Sequence, residues 1–270
     1  MKDRIDRLFH TTLLALFALA GAVSGQNLKT VQLPAGSVGG FDIGFPGWNG
    51  SNRTKYANPL TELDSNGRPY DGIRFVGAGR GRTHIVPDYA GTTSGDSTIV
   101  IGKGCGIVQF EKLTLHAASR KAIHVGEIWD QVSALEPSTL ALRRVTVTAG
   151  RPALGSGNST VWGILTYNAD IDFEDVRFDL KWTAEHGLYA HGFNKRGIRW
   201  VRVDVKAVGA EGLKVATRPE EVAFVPNATI LVKQCTFTNW LQPHSWRGGA
   251  GMVLQGSSAA RIILDRTRFR

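Results

Sequence analysis

A six-residue pattern returns six times along this chain: an apolar residue, two mostly polar or charged positions, then apolar residues alternating with polar ones. It reads Phe110-Glu-Lys-Leu-Thr-Leu115, Leu142-Arg-Arg-Val-Thr-Val147, Phe173-Glu-Asp-Val-Arg-Phe178, Trp200-Val-Arg-Val-Asp-Val205, Val232-Lys-Gln-Cys-Thr-Phe237 and Leu264-Asp-Arg-Thr-Arg-Phe269. Successive copies begin 32, 31, 27, 32 and 32 residues apart. A near-fixed period of roughly 20 to 50 residues marks units that cannot bury their apolar face alone and must stack on one another.

A second short strand, led mostly by glycine, accompanies the repeats: Ala122-Ile-His-Val125, Gly163-Ile-Leu-Thr166, Gly187-Leu-Tyr-Ala190, Gly212-Leu-Lys-Val215 and Gly251-Met-Val-Leu254. Alternation sends Ile123, Ile164, Leu188, Leu213 and Met252 to one face and their neighbours to the other. No segment between the blocks sustains a period of 3.6, which argues against leucine-rich and helical solenoids. Two or three strands per coil of roughly 27–32 residues predict an all-β chain wound as a parallel β-helix, each strand pairing with its equivalent one coil later.

The charges test that register. Aligning Phe173 with Trp200 places Asp172 over Arg199, Asp175 over Arg202, Arg177 over Asp204 and Asp179 over Lys206. Aligning Leu142 with Phe173 places Arg143 over Glu174 and Arg144 over Asp175, and Lys233 falls over Asp265. Cross-strand neighbours of opposite sign favour each other by about 0.2 to 1 kcal/mol. This acidic and basic face is therefore read as structural, and no calcium site is placed at Asp170, Asp172, Glu174 and Asp175.

Upstream, Thr30-Val-Gln-Leu-Pro-Ala-Gly36, then Ile73-Arg-Phe-Val-Gly-Ala-Gly79 and Thr83-His-Ile-Val86, precede the glycine-led coils. This succession, from about residue 28 onward, resembles the pectate-lyase-like superfamily of right-handed parallel β-helix proteins. The resemblance implies the handedness and a carbohydrate-active tendency, not a particular reaction. The polygalacturonase "GHG" and "RIK" signatures and the pectate lyase "WxDH" pattern are absent. Gly77-Ala-Gly-Arg-Gly81 reads as a turn of the β-helix, since no helix follows to make it a phosphate loop.

Lys2, Arg4 and Arg7 followed by the apolar run Thr12 to Val23 and the small residues Val23-Ser24-Gly25 form a secretory signal pattern over residues 1–25. The run is short of the ~20 residues a membrane span needs. The expected mature chain is a single β-helix domain over residues 26–270, secreted to an extracellular or periplasmic space, without membrane insertion after cleavage. The net charge of +9 suits an acidic partner, and for an exported protein an acidic polysaccharide fits better than nucleic acid. Cys105 and Cys235 lie about four coils apart, near 19 Å at ~4.8 Å per layer. A disulfide needs Cα atoms within about 7 Å, so two free thiols are expected. Asn49, Asn52, Asn158 and Asn227 stand in glycosylation sequons.

The loops at Phe41 to Gly72, Ala153 to Thr160 and Arg218 to Pro226 are rich in turn formers. The first is long enough to cover the N-terminal end of the helix or to wall a cleft. The chain stops at Arg270, directly after a core strand, which points to a truncated product or to an end buried in an oligomer.

Stacking the glycine-led strands makes one outward column of His124, Leu165, Tyr189, Lys214 and Val253. Trp162, His186 and Glu211 flank it on one side, and Tyr167, His191, Ala216 and Gln255 on the other. Rings stack on sugars while polar groups fix orientation, so Trp162, Tyr167, His124, Glu185 and Gln255 are candidate substrate-binding residues. A lyase needs a base for the proton α to a uronate carboxylate, with cations to stabilise the enolate. Lys214 or His191 suits the base, Tyr189 or His186 the acid, and Arg218 the carboxylate partner. Crowded cations depress a lysine pKa toward the working range. A hydrolase would use Glu185 and Glu211, if their carboxyls lie about 5 to 9.5 Å apart. A non-catalytic adhesion or structural surface protein is the competing class. No cofactor is expected, and His84, His116 and His244 show no zinc-site spacing. Trp240, His244 and Trp246 lie in a proline-containing loop and are read as packing over the coil turn, the alternative being an extension of the sugar surface.

Overall fold

The computed structural model describes residues 26–44, 53–87, 97–117, 121–126, 138–149, 162–183, 186–193, 196–208, 211–216, 228–238, 250–255 and 261–270. The described residues form a parallel β-helix. Successive coils contribute strands to three parallel ladders, and every pairing between strands of the ladders is parallel.

The first sheet runs from Leu28–Gln32 and Gly72–Val76, through the leading halves of Ile107–Ala117 and Thr139–Ala149, to Asp170–Glu174, Gly197–Val201, Thr229–Lys233 and Arg261–Asp265. The second begins at Gly36–Gly39 and Thr83–Val86, takes the trailing halves of the same two long strands, and continues with Arg177–Thr183, Asp204–Val208, Thr236–Thr238 and Arg268–Phe269. The third stacks Thr54–Tyr56, Phe41–Ile43, Ser97–Ile101, Lys121–Val125, Trp162–Tyr167, Leu188–His191, Glu211–Ala216 and Ala250–Gln255.

The sixfold pattern now has a mechanical meaning. Its third residue is left-handed in every copy: Lys112, Arg144, Asp175, Arg202, Gln234 and Arg266 all have φ between 48° and 55°. This residue turns the chain from the first sheet into the second. The turn breaks the strict alternation, so positions one, four and six all point inward. They are Phe110, Leu113 and Leu115 in one coil and Trp200, Val203 and Val205 in another, all buried. L-residues other than glycine, asparagine and aspartate adopt this conformation at a cost of roughly 1 to 2 kcal/mol. The ladder offsets it: the N–H groups of Asp175, Arg202 and Gln234 donate to the carbonyls of Val201, Lys233 and Asp265 one coil on.

Inside, aromatic rings stack along the axis. Phe75 lies 5.3 Å from Phe110, Trp200 5.7 Å from Phe173 and 5.9 Å from Phe237, and Phe237 5.1 Å from Phe269. Cys105 and Cys235 are buried and free. Burial pushes each thiol up to about 11, so both are inert core groups.

Outside, the first sheet has the predicted charge register. Asp172 lies over Arg199, Arg143 over Glu174 and Lys233 over Asp265, while in the second sheet Arg177 pairs with Asp204 and Asp179 with Lys206. The ion pairs that form use diagonals as well as direct neighbours. Asp172 bridges Arg143 and Arg199, Glu174 meets Arg202 at 2.6 Å, Asp175 meets Arg202 at 2.5 Å, and Arg144 reaches back to Glu111 at 2.6 Å. The hydrogen bond from Arg202 holds the Asp175 carboxyl below its ordinary range. Asp170 is buried, and its carboxylate accepts from the backbone N–H of Arg196 and Gly197.

At the N-terminal end, residues 53–71 of the long excursion lie across the first coil. Thr54–Tyr56 adds an outermost strand beside Phe41–Ile43, and Tyr56 packs edge-on to Phe41 and Phe75 at 5.1 and 4.9 Å. Lys29 meets Glu62 at 2.8 Å, and Asn27 bonds to Asp64 and Asp71. Gly77 to Gly81 forms a turn between first- and second-sheet strands, with Gly79 and Gly81 at positive φ. In the final coil Ile262, Leu264 and Phe269 are about half exposed, at 49%, 50% and 51%. Residues 1–25, the sequon asparagines, the Ala153 to Thr160 and Arg218 to Pro226 loops, Trp240, His244 and Trp246 lie outside the described residues. Among the described residues, no helix is long and apolar enough to cross a membrane.

Candidate functional site

Four successive third-sheet strands, from Trp162–Tyr167 to Ala250–Gln255, have a glycine at a corner too tight for a side chain. A methyl group on Gly163 or Gly187 would run into the carbonyl of the glycine one coil on, and on Gly212 or Gly251 into the ring of Phe237 or Phe269. Glycine is thus required in these four coils by close approach, while the equivalent position in the two preceding coils is Ala122 and Thr98. That position also sets the phase of the strand it leads: Ile123, Ile164, Leu188, Leu213 and Met252 point inward in register, and His124, Leu165, Tyr189, Lys214 and Val253 point outward.

The outward face is a continuous contact network centred on Tyr189. The imidazole of His191 lies 4.0 Å from the Tyr189 ring, and that of His186 lies 5.0 Å away at 68°. The Lys214 ammonium sits over the Tyr189 ring, 5.0 Å from its centroid. Trp162 stands edge-on to Tyr189 at 6.0 Å and parallel to His186 at 6.5 Å. Tyr167 stacks on His191 at 4.8 Å and approaches His124 at 5.7 Å. Glu211 places a carboxylate oxygen 2.6 Å from His186 Nδ1.

Most of the predicted residues therefore come together: Lys214, His191, Tyr189, His186, Glu211, Trp162, Tyr167 and His124. Gln255 continues the flanking column beyond Ala216 and is exposed. Glu185 and Arg218 lie outside the described residues. Burial separates the roles that remain open. His186 is only 1% exposed and engages Glu211, so it acts on its neighbours. Lys214 and His191 are 8% and 9% exposed, while Tyr189, Trp162, Tyr167 and Glu211 are more open. Burial, reinforced by the nearby Lys121, pushes the His124 imidazole down to about 3; it is a neutral ring at any ordinary pH.

Lys121 belongs to this face and was not anticipated. Its ammonium lies 5.6 Å from the Trp162 ring centroid, and Lys121 pairs directly with Trp162 across the strands. Extending the strand at Ala122 back by one residue, to match Trp162 before Gly163, would have found it.

Chemically the face offers ring surfaces for sugar planes, two ammonium groups for anions, and imidazole and phenol groups in contact for proton transfer. Among the described residues no group of three or more His, Cys, Asp or Glu is placed to hold a metal ion. These features define a parallel β-helix with an aromatic and cationic third-sheet face. No known family model matches the chain, and no curated protein matches it.

Proposed function

We propose that this is an exported protein of the pectate-lyase-like superfamily that binds an acidic polysaccharide along the third sheet and cleaves it by β-elimination. The observation that carries the reading is the convergence of Lys214, His191 and His186 on the ring of Tyr189. In a uronate chain the proton α to the carboxylate is acidic only if the developing enolate is stabilised.

The Lys214 ammonium, held over the ring face of Tyr189, suits that cationic role. His191 then takes the α-proton, its imidazole supplying the base beside the Tyr189 ring. The electron pair left behind forms the C4–C5 double bond as the C4–O bond breaks, and Tyr189 gives its phenolic proton to the departing oxygen. His186, buried against Glu211, orients the Tyr189 ring. Trp162 and Tyr167 supply stacking surfaces on either side.

The test is a screen of the mature chain against pectin, alginate and glycosaminoglycans, following absorbance of unsaturated uronates and, separately, new reducing ends. Unsaturated product supports the proposal. Reducing ends without unsaturation point to a hydrolase using Glu185 and Glu211, and binding without turnover points to an adhesion protein. Neither binding nor turnover overturns every carbohydrate reading.

A further inference from the structure

His84 and His116 lie on the second sheet, away from the third-sheet network. They are 32 residues apart, one period of the repeat, and so occupy neighbouring coils. His84 is level with Thr114 on the adjacent strand, which puts His116 one outward position further along. The two side chains meet: His84 Nδ1 is 3.0 Å from His116 Nε2, with ring centroids 5.2 Å apart and planes at 38°. Both residues are half-buried, leaving the pair open on one side.

We propose that His84 and His116 form a two-imidazole site for a divalent transition-metal ion of the imidazole-preferring class, Cu(II) or Ni(II), with water completing the coordination. The two residues stand on neighbouring strands of a continuous ladder, which fixes their Cα positions and keeps both imidazoles within reach of one ion. Imidazole nitrogen suits copper and nickel, and among first-row divalent ions such nitrogens bind Cu(II) most tightly.

The rings face each other nearly end to end, and each must pivot about its Cβ–Cγ bond to aim its lone pair at the ion. The proton of the present ring–ring hydrogen bond moves to the distal nitrogen of the same ring, so two neutral imidazoles bind with no net change in protons. Among the described residues no third His, Cys, Asp or Glu joins them, which leaves the remaining positions to water or to an exogenous ligand.

The experiment titrates Cu(II) into the mature chain, reading affinity by calorimetry and ligand identity by electron paramagnetic resonance. The expected result is one tight equivalent whose spectrum carries coupling to two equatorial nitrogens. His84→Gln and His116→Gln should each weaken that equivalent at least tenfold, with the β-sheet circular dichroism unchanged. A tight equivalent retained at full affinity in both variants, or no tight equivalent in the wild type, overturns the proposal.

Discussion

The first and third sheets present outward columns built by the same stacking rule, yet they put it to opposite uses. On the first sheet an acidic strand, with Asp172, Glu174 and Asp175, is sandwiched between strands bearing Arg143, Arg144, Arg199 and Arg202, and the charges bridge coil to coil. On the third sheet the five strands from Lys121–Val125 to Ala250–Gln255 contain one carboxylate, Glu211, against Lys121 and Lys214. There the cations sit over rings. Complementary charge consumes its own binding capacity, because each group already has its partner. A face of rings and cations with few anions retains capacity for an external anionic ligand. Periodicity alone does not separate the two; composition within the register does.

The difference should appear most strongly against pH. His124 is about 3 in the folded chain against an ordinary 6.5. The unfolded chain therefore takes up a proton that the folded chain refuses, and stability present above about pH 6.5 is lost as pH falls toward 3. At roughly 1.4 kcal/mol per unit the loss is on the order of 5 kcal/mol, and His124→Gln should remove most of that slope in chemical denaturation. His116, also lowered by burial and by His84, contributes in the same direction. Asp175 on the first sheet is lowered from 3.8, so its stabilisation is lost only as pH falls below about 4. An acid-lability slope between about pH 6.5 and 4.5 as steep in His124→Gln as in the wild type would remove this contrast.

Next in size is Gly187→Ala, whose methyl group meets the Gly212 carbonyl. It should cost about 3 kcal/mol, at the upper end of overpacking effects, measured as a shift in urea midpoint. Arg199→Met should cost about 1 kcal/mol, since Asp172 keeps Arg143 and Glu174 keeps Arg202. That loss should shrink at 1 M salt, where exposed pairs are screened. Smallest is Lys112→Asn at a left-handed corner, where Lys112 has φ 55°. Asparagine tolerates that conformation better, and a gain of about 0.5 kcal/mol is expected by thermal melting.

The coil register was legible because its signals are redundant: apolar phase, glycine position and charge complementarity all select one alignment, and Asp172 over Arg199 is one product of it. The corner was not legible, because Lys, Arg and Gln carry no preference for positive φ and the two polar positions looked like an ordinary solvated face. Most of the third-sheet network was readable by stacking strands on one another. Lys121 was missed because its strand was begun one residue late. The His84–His116 contact was missed because their separation was compared with metal-motif spacings and not with the repeat itself. Burial was the least legible quantity. The sequence presents His186 as an outward residue, and only the stacked Trp162, Tyr189 and Glu211 around it explain why it is 1% exposed.

The central claim is that the third-sheet face binds an acidic polymer while the first-sheet charges hold the coils together. The direct test is calorimetric titration of polygalacturonate and alginate oligomers into wild type, Lys214→Met and Arg199→Met, with unfolding curves for all three. The expected outcome is a crossed pattern. Lys214→Met loses at least tenfold in affinity, about 1.4 kcal/mol, with stability nearly unchanged, while Arg199→Met loses stability and binds as wild type. Wild-type affinity in Lys214→Met together with weakened binding in Arg199→Met would contradict the assignment.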